Sequence, residues 1–278
     1  VSKYVKREGI MLCYPWEERR LELSGFPETF FIQPKLRGER CWVSWIGNDT
    51  PVLISSYGNE FKFLEHIVEE LKRLPKAEYD GELYVHGWGQ EEVNSAANRK
   101  VNKNVDTGAL EYHIFDVKSD NSQMSRIAFL KMIERVEGKH LKYIKFVPTY
   151  LTSRKEWLEQ STEFMEEGFE GSILRHPDWS YEERRCRGII KFKPTETDQY
   201  VIIGVEEEVS IYGEPKNSLG SFRVKGLTEE NAVEFSVGTG PALTKEKRQR
   251  YWMERGQLIG RRLIVKHEKL RTAGGIPV

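Results

Sequence analysis

The spacing of apolar positions changes several times along the chain. In residues 29–47, TFFIQPKLRGERCWVSWIG, and again in 51–58, PVLISSYG, apolar and polar positions alternate, and the NDT between them predicts a tight turn joining two strands. EFKFLEHIVEELKRLP then sets Phe63, Ile67, Val68, Leu71 and Leu74 at helical spacing and stops at Pro75. AEYDGELYVHG and EYHIFDV predict two more strands, with the polar QEEVNSAANRKVNKNVDTGAL between them partly helical. SRIAFLKMIERVEG and SRKEWLEQSTEFMEEG predict amphipathic helices on either side of a strand, IKFVPTYLT, and EGSILRHP and GIIKFKP are strand-like.

Beyond Pro194 the pattern becomes short strands with Gly-rich turns, DQYVIIGVEEE, LGSFRVKG, AVEFSVGTG and RRLIVKHEKL, interrupted by one helix, TKEKRQRYWMERG. Four or five strands and one helix in about 80 residues predict a small β-barrel of the OB type. The change of pattern puts a boundary near residues 194–196 and divides the chain into 1–194 and 195–278, a division that 278 residues readily accommodate.

Composition narrows the class. A hydrophobic fraction of 38% with 12% aromatic residues supports cores without disulfides, so wholesale disorder is excluded although 31% of residues are charged. Cys13, Cys41 and Cys186 are far apart and lack CxxC spacing, which gives neither a disulfide framework nor a zinc knuckle and favours a reducing compartment. No apolar run reaches the roughly 20 residues that span a bilayer, and the N-terminus lacks a secretory core, so the expectation is a cytoplasmic protein without a membrane partner. The 43 basic and 43 acidic side chains cancel overall but not locally. Residues 195–244 hold three Lys/Arg against nine Asp/Glu, whereas 245–271 hold ten against three, so Lys245, Lys247, Arg248 and Arg250 are the candidate phosphate contacts.

The candidate chemistry lies in an ordered set of short strings: Lys35-Leu36-Arg37-Gly38-Glu39-Arg40, Tyr79-Asp80-Gly81-Glu82-Leu83, Tyr112-His113-Ile114-Phe115-Asp116, Glu170-Gly171-Ser172-Ile173 and Lys191-Phe192-Lys193. Singly each is common. In this order they resemble the nucleotidyltransferase motifs of ATP-dependent DNA ligases, RNA ligases and mRNA capping enzymes, and GSFRVKG, FSVGTG and the helix with Trp252 resemble a ligase OB module. The resemblance runs from about Gln33 to near the end of the chain, which is similar to the minimal ligases of phages and some viruses. It implies an α+β fold: a nucleotidyltransferase (adenylation) domain of antiparallel sheets with helices, ATP-grasp-like, followed by a C-terminal OB-fold β-barrel. Only some 30 residues precede Lys35, so the additional N-terminal DNA-binding domain of larger ligases is not expected.

Such chemistry needs a neutral lysine amine to attack the α-phosphorus of ATP, and hence cations and desolvation around it. Arg40, Lys191, Lys193 and a bound metal would supply that field and neutralise charge as pyrophosphate departs. Lys191 and Lys193 alternate along a strand and so share a face. The resemblance implies that Lys35 is the nucleophile, that Arg40 and Glu82 hold the ribose, that Phe115 stacks on adenine and that Gln33 lies near the base. Glu170, with Glu82, would bind Mg²⁺, and Arg185 aligns with a basic residue of many ligases, Arg184 and Arg187 being alternatives. The implied partner is nicked double-stranded DNA, bound by a monomer.

Two residues depart from the pattern. Arg37 stands where the family carries aspartate in Lys-x-Asp-Gly-x-Arg, adding a cation and removing an acceptor. Ser56, in ISSYGNEF, stands where the family's Ser-Arg-Asn-Gly segment carries an arginine that binds the ribose or the DNA end, so that contact is missing or supplied elsewhere. The tail HEKLRTAGGIPV resembles the approach to the last OB motif, which would lie past Val278. The expected activity is ATP-dependent DNA ligation through a Lys35-AMP intermediate. An RNA ligase or a GTP-using capping enzyme shares the first domain's chemistry, and a non-catalytic OB-fold nucleic-acid binder is the alternative of a different class.

Overall fold

A computed structural model describes residues 7, 9–17, 20–47, 49–99, 101–227, 233–240 and 243–268. Asn48 of the expected NDT turn, Lys100, and the tail from Lys269 through Arg271 to Val278 lie outside these residues. The chain forms two compact units, Val1–Lys193 and Pro194–Val278.

The strands of the first unit are, in chain order, β1 (Leu12–Pro15), β2 (Thr29–Pro34), β3 (Glu39–Ile46), β4 (Thr50–Ser55), β5 (Tyr79–Tyr84), β6 (Glu111–Val117), β7 (Ile144–Phe146), β8 (Tyr150–Ser153), β9 (Ser172–Arg175) and β10 (Arg185–Phe192). They build two sheets, ordered β1-β10-β9-β2-β8 and β4-β3-β5-β6-β7. Pairing is antiparallel except for β1 with β10 and β6 with β7. The helices are α1 (Arg20–Leu23), α2 (Glu65–Leu71), α3 (Gln90–Ala97), α4 (Gln123–Glu137) and α5 (Trp157–Glu166).

The alternating run 29–47 is therefore two strands in different sheets. After Pro34 residues 35–38 carry the chain from β2 in one sheet to β3 in the other. The run 144–152 is broken in the same way around Pro148, with β7 in one sheet and β8 in the other. Helix α4 begins at Gln123, two residues earlier than the apolar pattern suggests, because the Ser122 side chain accepts from the Ser125 N–H and caps it.

Each sheet buries one face under helices. Trp157 and Phe164 of α5 pack on Phe30, Ile32, Leu174 and Ile190 of the first sheet. Ile67 and Leu71 of α2, with Leu130 and Ile133 of α4, pack on Val43, Leu53, Leu83 and Ile114 of the second. Each such aliphatic side chain stabilises the unit by about 1.5–3 kcal/mol relative to exposure. A smaller cluster, Leu36, Tyr84, Phe115 and Val147 with Phe169, draws Leu36 and Val147 from the two crossings and Tyr84 and Phe115 from the second sheet.

In the second unit β11 (Thr195–Val209), β12 (Pro215–Gly226), β13 (Glu234–Gly238) and β14 (Arg262–Glu268) form an antiparallel sheet ordered β13-β12-β11-β14. Its core is Tyr200, Ile202, Leu219, Phe222, Val224, Leu258 and Val265. Strands β11 and β12 are longer than the turn signals imply, since they form one hairpin around residues 210–214. Among the described residues the sheet does not close into a barrel. Helix α6 (Lys245–Met253) is capped by the Thr244 side chain, which accepts from the Lys247 N–H.

Candidate active site

Lys35 sits where the chain leaves β2. Its N–H donates to the Gly171 carbonyl at 2.9 Å, and its own carbonyl accepts from the Glu170 N–H at 3.1 Å, so the β2–β9 ladder continues past both strands and holds Lys35 opposite Glu170. Gly171 makes that crossing possible. Its φ is +148°, and a Cβ there would lie 2.2 Å from the Phe192 carbonyl oxygen. Gly38 is equally constrained, with a Cβ 2.1 Å from the Leu83 oxygen, and its N–H donates to Glu82 Oε1 at 2.6 Å.

Around this crossing lies a cavity of about 410 Å³, within the range of small-molecule sites. Gln33, Lys35, Arg40, Glu82, Phe115, Glu170, Arg185, Lys191 and Lys193, nine residues far apart in sequence, all line it. Lys245, Lys247, Arg248 and Arg250 belong to α6 in the second unit; three are exposed, while Arg248 is half-buried and pairs with Glu208 at 2.8 Å.

The Lys35 ammonium contacts the Glu170 carboxylate, Lys193 contacts the other Glu170 oxygen, and Lys35 Nζ also donates to the Leu36 carbonyl at 3.2 Å. The immediate neighbour of the lysine is thus an anion, not the expected set of cations, which stand one layer further out. Burial disfavours the Glu170 carboxylate, but Lys35 and Lys193 outweigh it and hold its pKa below the ordinary value. Burial also pulls Lys191 below the usual lysine range; Cys13 opposes this, and the charges of Lys35, Lys193 and Arg185 add to it. For Glu82 burial dominates over Lys35 and Arg40, and its pKa is raised.

Strand register explains the rest of the wall. Arg40 and Glu82 are paired across β3 and β5. A bulge in β6 skips Phe115, since Asp80 pairs with Asp116 and Gly81 with Ile114, and bulges beside sites re-aim side chains. Arg40 Nε and Nη2 donate to the two oxygens of fully buried Asp80 at 2.7 and 2.5 Å, and the Arg40 guanidinium lies 4.5 Å from the centre of the Phe115 ring.

The motif string did not disclose the buried network behind Phe115. Asp116 accepts from Arg126 Nε at 2.8 Å and from Arg175 Nη1 at 2.7 Å, and Gln123 accepts from both arginines. Arg175 Nε donates to Gln33 Oε1 at 2.6 Å, while Gln33 Nε2 donates to the Phe115 carbonyl and to Thr149 Oγ1 at 3.0 and 2.8 Å. The Gln33 amide is therefore oriented by a donor-only partner on one side and a carbonyl on the other. Asp80 and Asp116 stand within the motif strings without an assigned role; nothing in the spacing singles out Arg126 or Arg175.

Divalent-metal chemistry has a limited donor set. No group of three or more His, Cys, Asp or Glu residues able to hold a metal occurs among the described residues. Glu82 and Glu170 both line the cavity and sense each other's charge. Two carboxylates fit Mg²⁺, which commonly uses one or two protein carboxylates together with substrate phosphates.

Residues 10–193 match the family described as "ATP dependent DNA ligase domain". A DNA ligase of African swine fever virus is 26% identical over 286 aligned positions, which cover 91% of this chain and 64% of that protein. The chain thus spans about 64% of the length of these curated relatives. Among solved structures, one from a structure-function study of Lig E DNA ligases aligns with a TM-score of 0.75 at 20% identity, covering 97% of this chain and 95% of the other. The ATP-dependent DNA ligase of bacteriophage T7, in complex with ATP, aligns with a TM-score of 0.58 at 14% identity, covering 100% and 97%. At these identities the structures show a shared fold: an α+β ligase arrangement of nucleotidyltransferase and OB-fold domains.

Proposed function

Because the chain belongs to the ATP-dependent DNA ligase family, we propose that it seals 5′-phosphate/3′-hydroxyl nicks in duplex DNA through AMP carried on Lys35. The observation that carries this reading is the Lys35–Glu170 contact at the head of one cavity that also gathers Arg40, Glu82, Phe115, Lys191 and Lys193. Residues 1–194 act as the adenylation domain and residues 195–278 as the OB-fold domain. The related ligases include one solved with ATP and one solved as the adenylate, which supports ATP as the nucleotide donor here.

In the first step Lys35 Nζ, as the neutral amine, bonds to the α-phosphorus of ATP, the bond to pyrophosphate breaks, and the amine's proton is released. Lys191 and Lys193, on one face of β10, neutralise the α-phosphate and the leaving group. Glu170 and Glu82 would hold a Mg²⁺ ion, which when bound would supply further neutralisation of the phosphate charge. Arg40 and Glu82 fix the ribose, Phe115 offers its ring to the base, and Arg185 lies at the phosphate side of the wall. In the second step an oxygen of the DNA 5′-phosphate bonds to the AMP phosphorus, the P–N bond breaks, and Nζ takes back a proton. In the third the 3′-hydroxyl displaces AMP and closes the backbone.

Gln33 supports adenine over guanine. Both of its N–H groups are occupied by Phe115 and Thr149, which leaves only a lone pair on Oε1 for the base. The amino group of adenine can donate to it, whereas the 6-oxo group of guanine cannot. The exposed cations Lys245, Lys247 and Arg250, with Arg248, form the proposed DNA contact of the second unit, and the protein acts as an intracellular monomer. No helix among the described residues is long and apolar enough to cross a membrane.

The test is sealing of a labelled nicked duplex with ATP and Mg²⁺. Joined product with ATP alone is expected. Labelling by GTP and not ATP would replace this reading with a capping enzyme's, and sealing confined to RNA strands with an RNA ligase's.

A further inference from the structure

The cavity's two sides carry different charge. On the first sheet's side Lys35, Lys191, Lys193 and Arg185 face a single carboxylate, Glu170. On the second sheet's side Arg40 is neutralised by Asp80, and Glu39 and Glu82 add two further carboxyl groups. The remaining cation lining that second side is Arg7, from a segment that no motif covers.

Arg7 is placed there by the anchored residues that follow it and by Tyr57. Ile10 and Met11 are fully buried; the Met11 carbonyl accepts from Arg40 Nη2 at 3.3 Å, and its N–H donates to the Tyr181 hydroxyl at 3.1 Å. Four residues upstream, Arg7 Nε donates to the Tyr57 hydroxyl at 3.4 Å, and its guanidinium lies 5.4 Å from the centre of the Tyr57 ring. Its charge reaches Glu39, yet among the described residues no carboxylate forms an ion pair with it. The side chain is exposed at the rim, with its fork of donors open to a large ligand.

We propose that Arg7 binds the terminal 5′-phosphate of the polynucleotide. This rests on the ligase reading above. The lysines of β10 already serve the nucleotide's phosphates, and the transfer step brings a second phosphate dianion to a side whose other charges are balanced or negative. A guanidinium anchored on an aromatic ring meets that phosphate with two parallel hydrogen bonds. Its anchor, Tyr57, directly follows Ser56, the position where the family's arginine is missing, and Ser56 and Tyr57 both line the cavity. A residue distant in sequence thus restores a cation to that neighbourhood.

The test compares affinity for two nicked duplexes, identical except for a 5′-phosphate or a 5′-hydroxyl at the nick, using the full chain with and without prior ATP treatment. Wild type is expected to prefer the phosphate by about tenfold or more, the scale of a hydrogen bond to a charged group. Arg7→Ala brings that ratio toward one, and Arg7→Lys keeps part of it. An unchanged ratio in Arg7→Ala overturns the proposal. So does a loss that falls equally on ATP-dependent labelling, which assigns Arg7 to the triphosphate. Failure of wild type to label with ATP would instead sink the ligase reading, and the binding ratio without ATP would still decide the role of Arg7.

Discussion

Replacing Asp116 by alanine tests whether the buried network behind Phe115 supports both the fold and the base wall. The carboxylate accepts from Arg126 Nε and Nη2, Arg175 Nη1, Gln123 Nε2 and the Val117 N–H. Its partners Arg126 and Arg175 are 1% and 3% exposed, so Asp116→Ala leaves two guanidinium charges in the interior with no counter-ion. Removing one partner of a buried ion pair costs about 3–5 kcal/mol, a large part of the roughly 5–15 kcal/mol that holds a domain together. Asp116→Asn keeps the shape and one acceptor, and a smaller loss of about 1–3 kcal/mol is expected. The pH dependence has a definite sign. Burial raises the Asp116 pKa, but Arg175 and Arg126 outweigh it and lower it below 3.8. Its stabilisation is therefore fully present above the unfolded value and lost as pH falls through the folded one. Urea unfolding of wild type and both variants at about pH 7 and at about pH 2.5, below the unfolded aspartate value, reads this directly: the gap between wild type and Asp116→Asn is widest at neutral pH and narrows in acid. Because Arg175 also orients Gln33, the KM for ATP rises in whatever Asp116→Ala folds. A stability loss under about 1 kcal/mol at neutral pH would mean that the arginines find solvent or another partner and that Asp116 does not hold the network together.

Three other outcomes follow from the site. Gly171→Ala sets a Cβ 2.2 Å from the Phe192 oxygen and must part β9 from β10, so lysine adenylylation falls at least about a hundredfold, read by intact mass in a timed ATP reaction. Neutralising Lys245, Lys247 and Arg250 together flattens the log–log salt dependence of nicked-duplex binding by about 0.9 per lost phosphate contact, whereas Arg248→Gln does less because Arg248 is paired with Glu208; equal slopes would make these side chains a solvated face. Arg37→Asp brings the loop to the family pattern, but Arg37 is not among the residues that line the cavity, so sealing rates in a gel assay do not improve, and a large gain would show that Arg37 impairs the site.

Much of the site was legible because each motif joins a reactive residue type to the geometry that positions it. Glu170-Gly171 reads as a carboxylate beside a residue without Cβ, and the structure needs both at one ladder rung. Lys191 and Lys193 disclosed their common face through spacing alone. The crossings at residues 35–38 and around Pro148 were less visible, because alternation records which residues face a core and not which of two sheets holds them. The Asp116–Arg126–Arg175 network was hidden for a related reason: Arg126 lies in an amphipathic helix where an arginine ordinarily faces solvent, and only the fold brings it to a buried carboxylate. Arg7 gave no signal, since its place depends on Met11 being fixed to Arg40 and Tyr181.

The most direct measurement is the intact mass of the protein after incubation with ATP and Mg²⁺, followed by peptide mapping of the added group. A gain of one AMP is expected, located on Lys35, lost on addition of a nicked duplex and absent in Lys35→Ala. AMP on another residue, or undiminished labelling of Lys35→Ala, would contradict a Lys35-AMP intermediate.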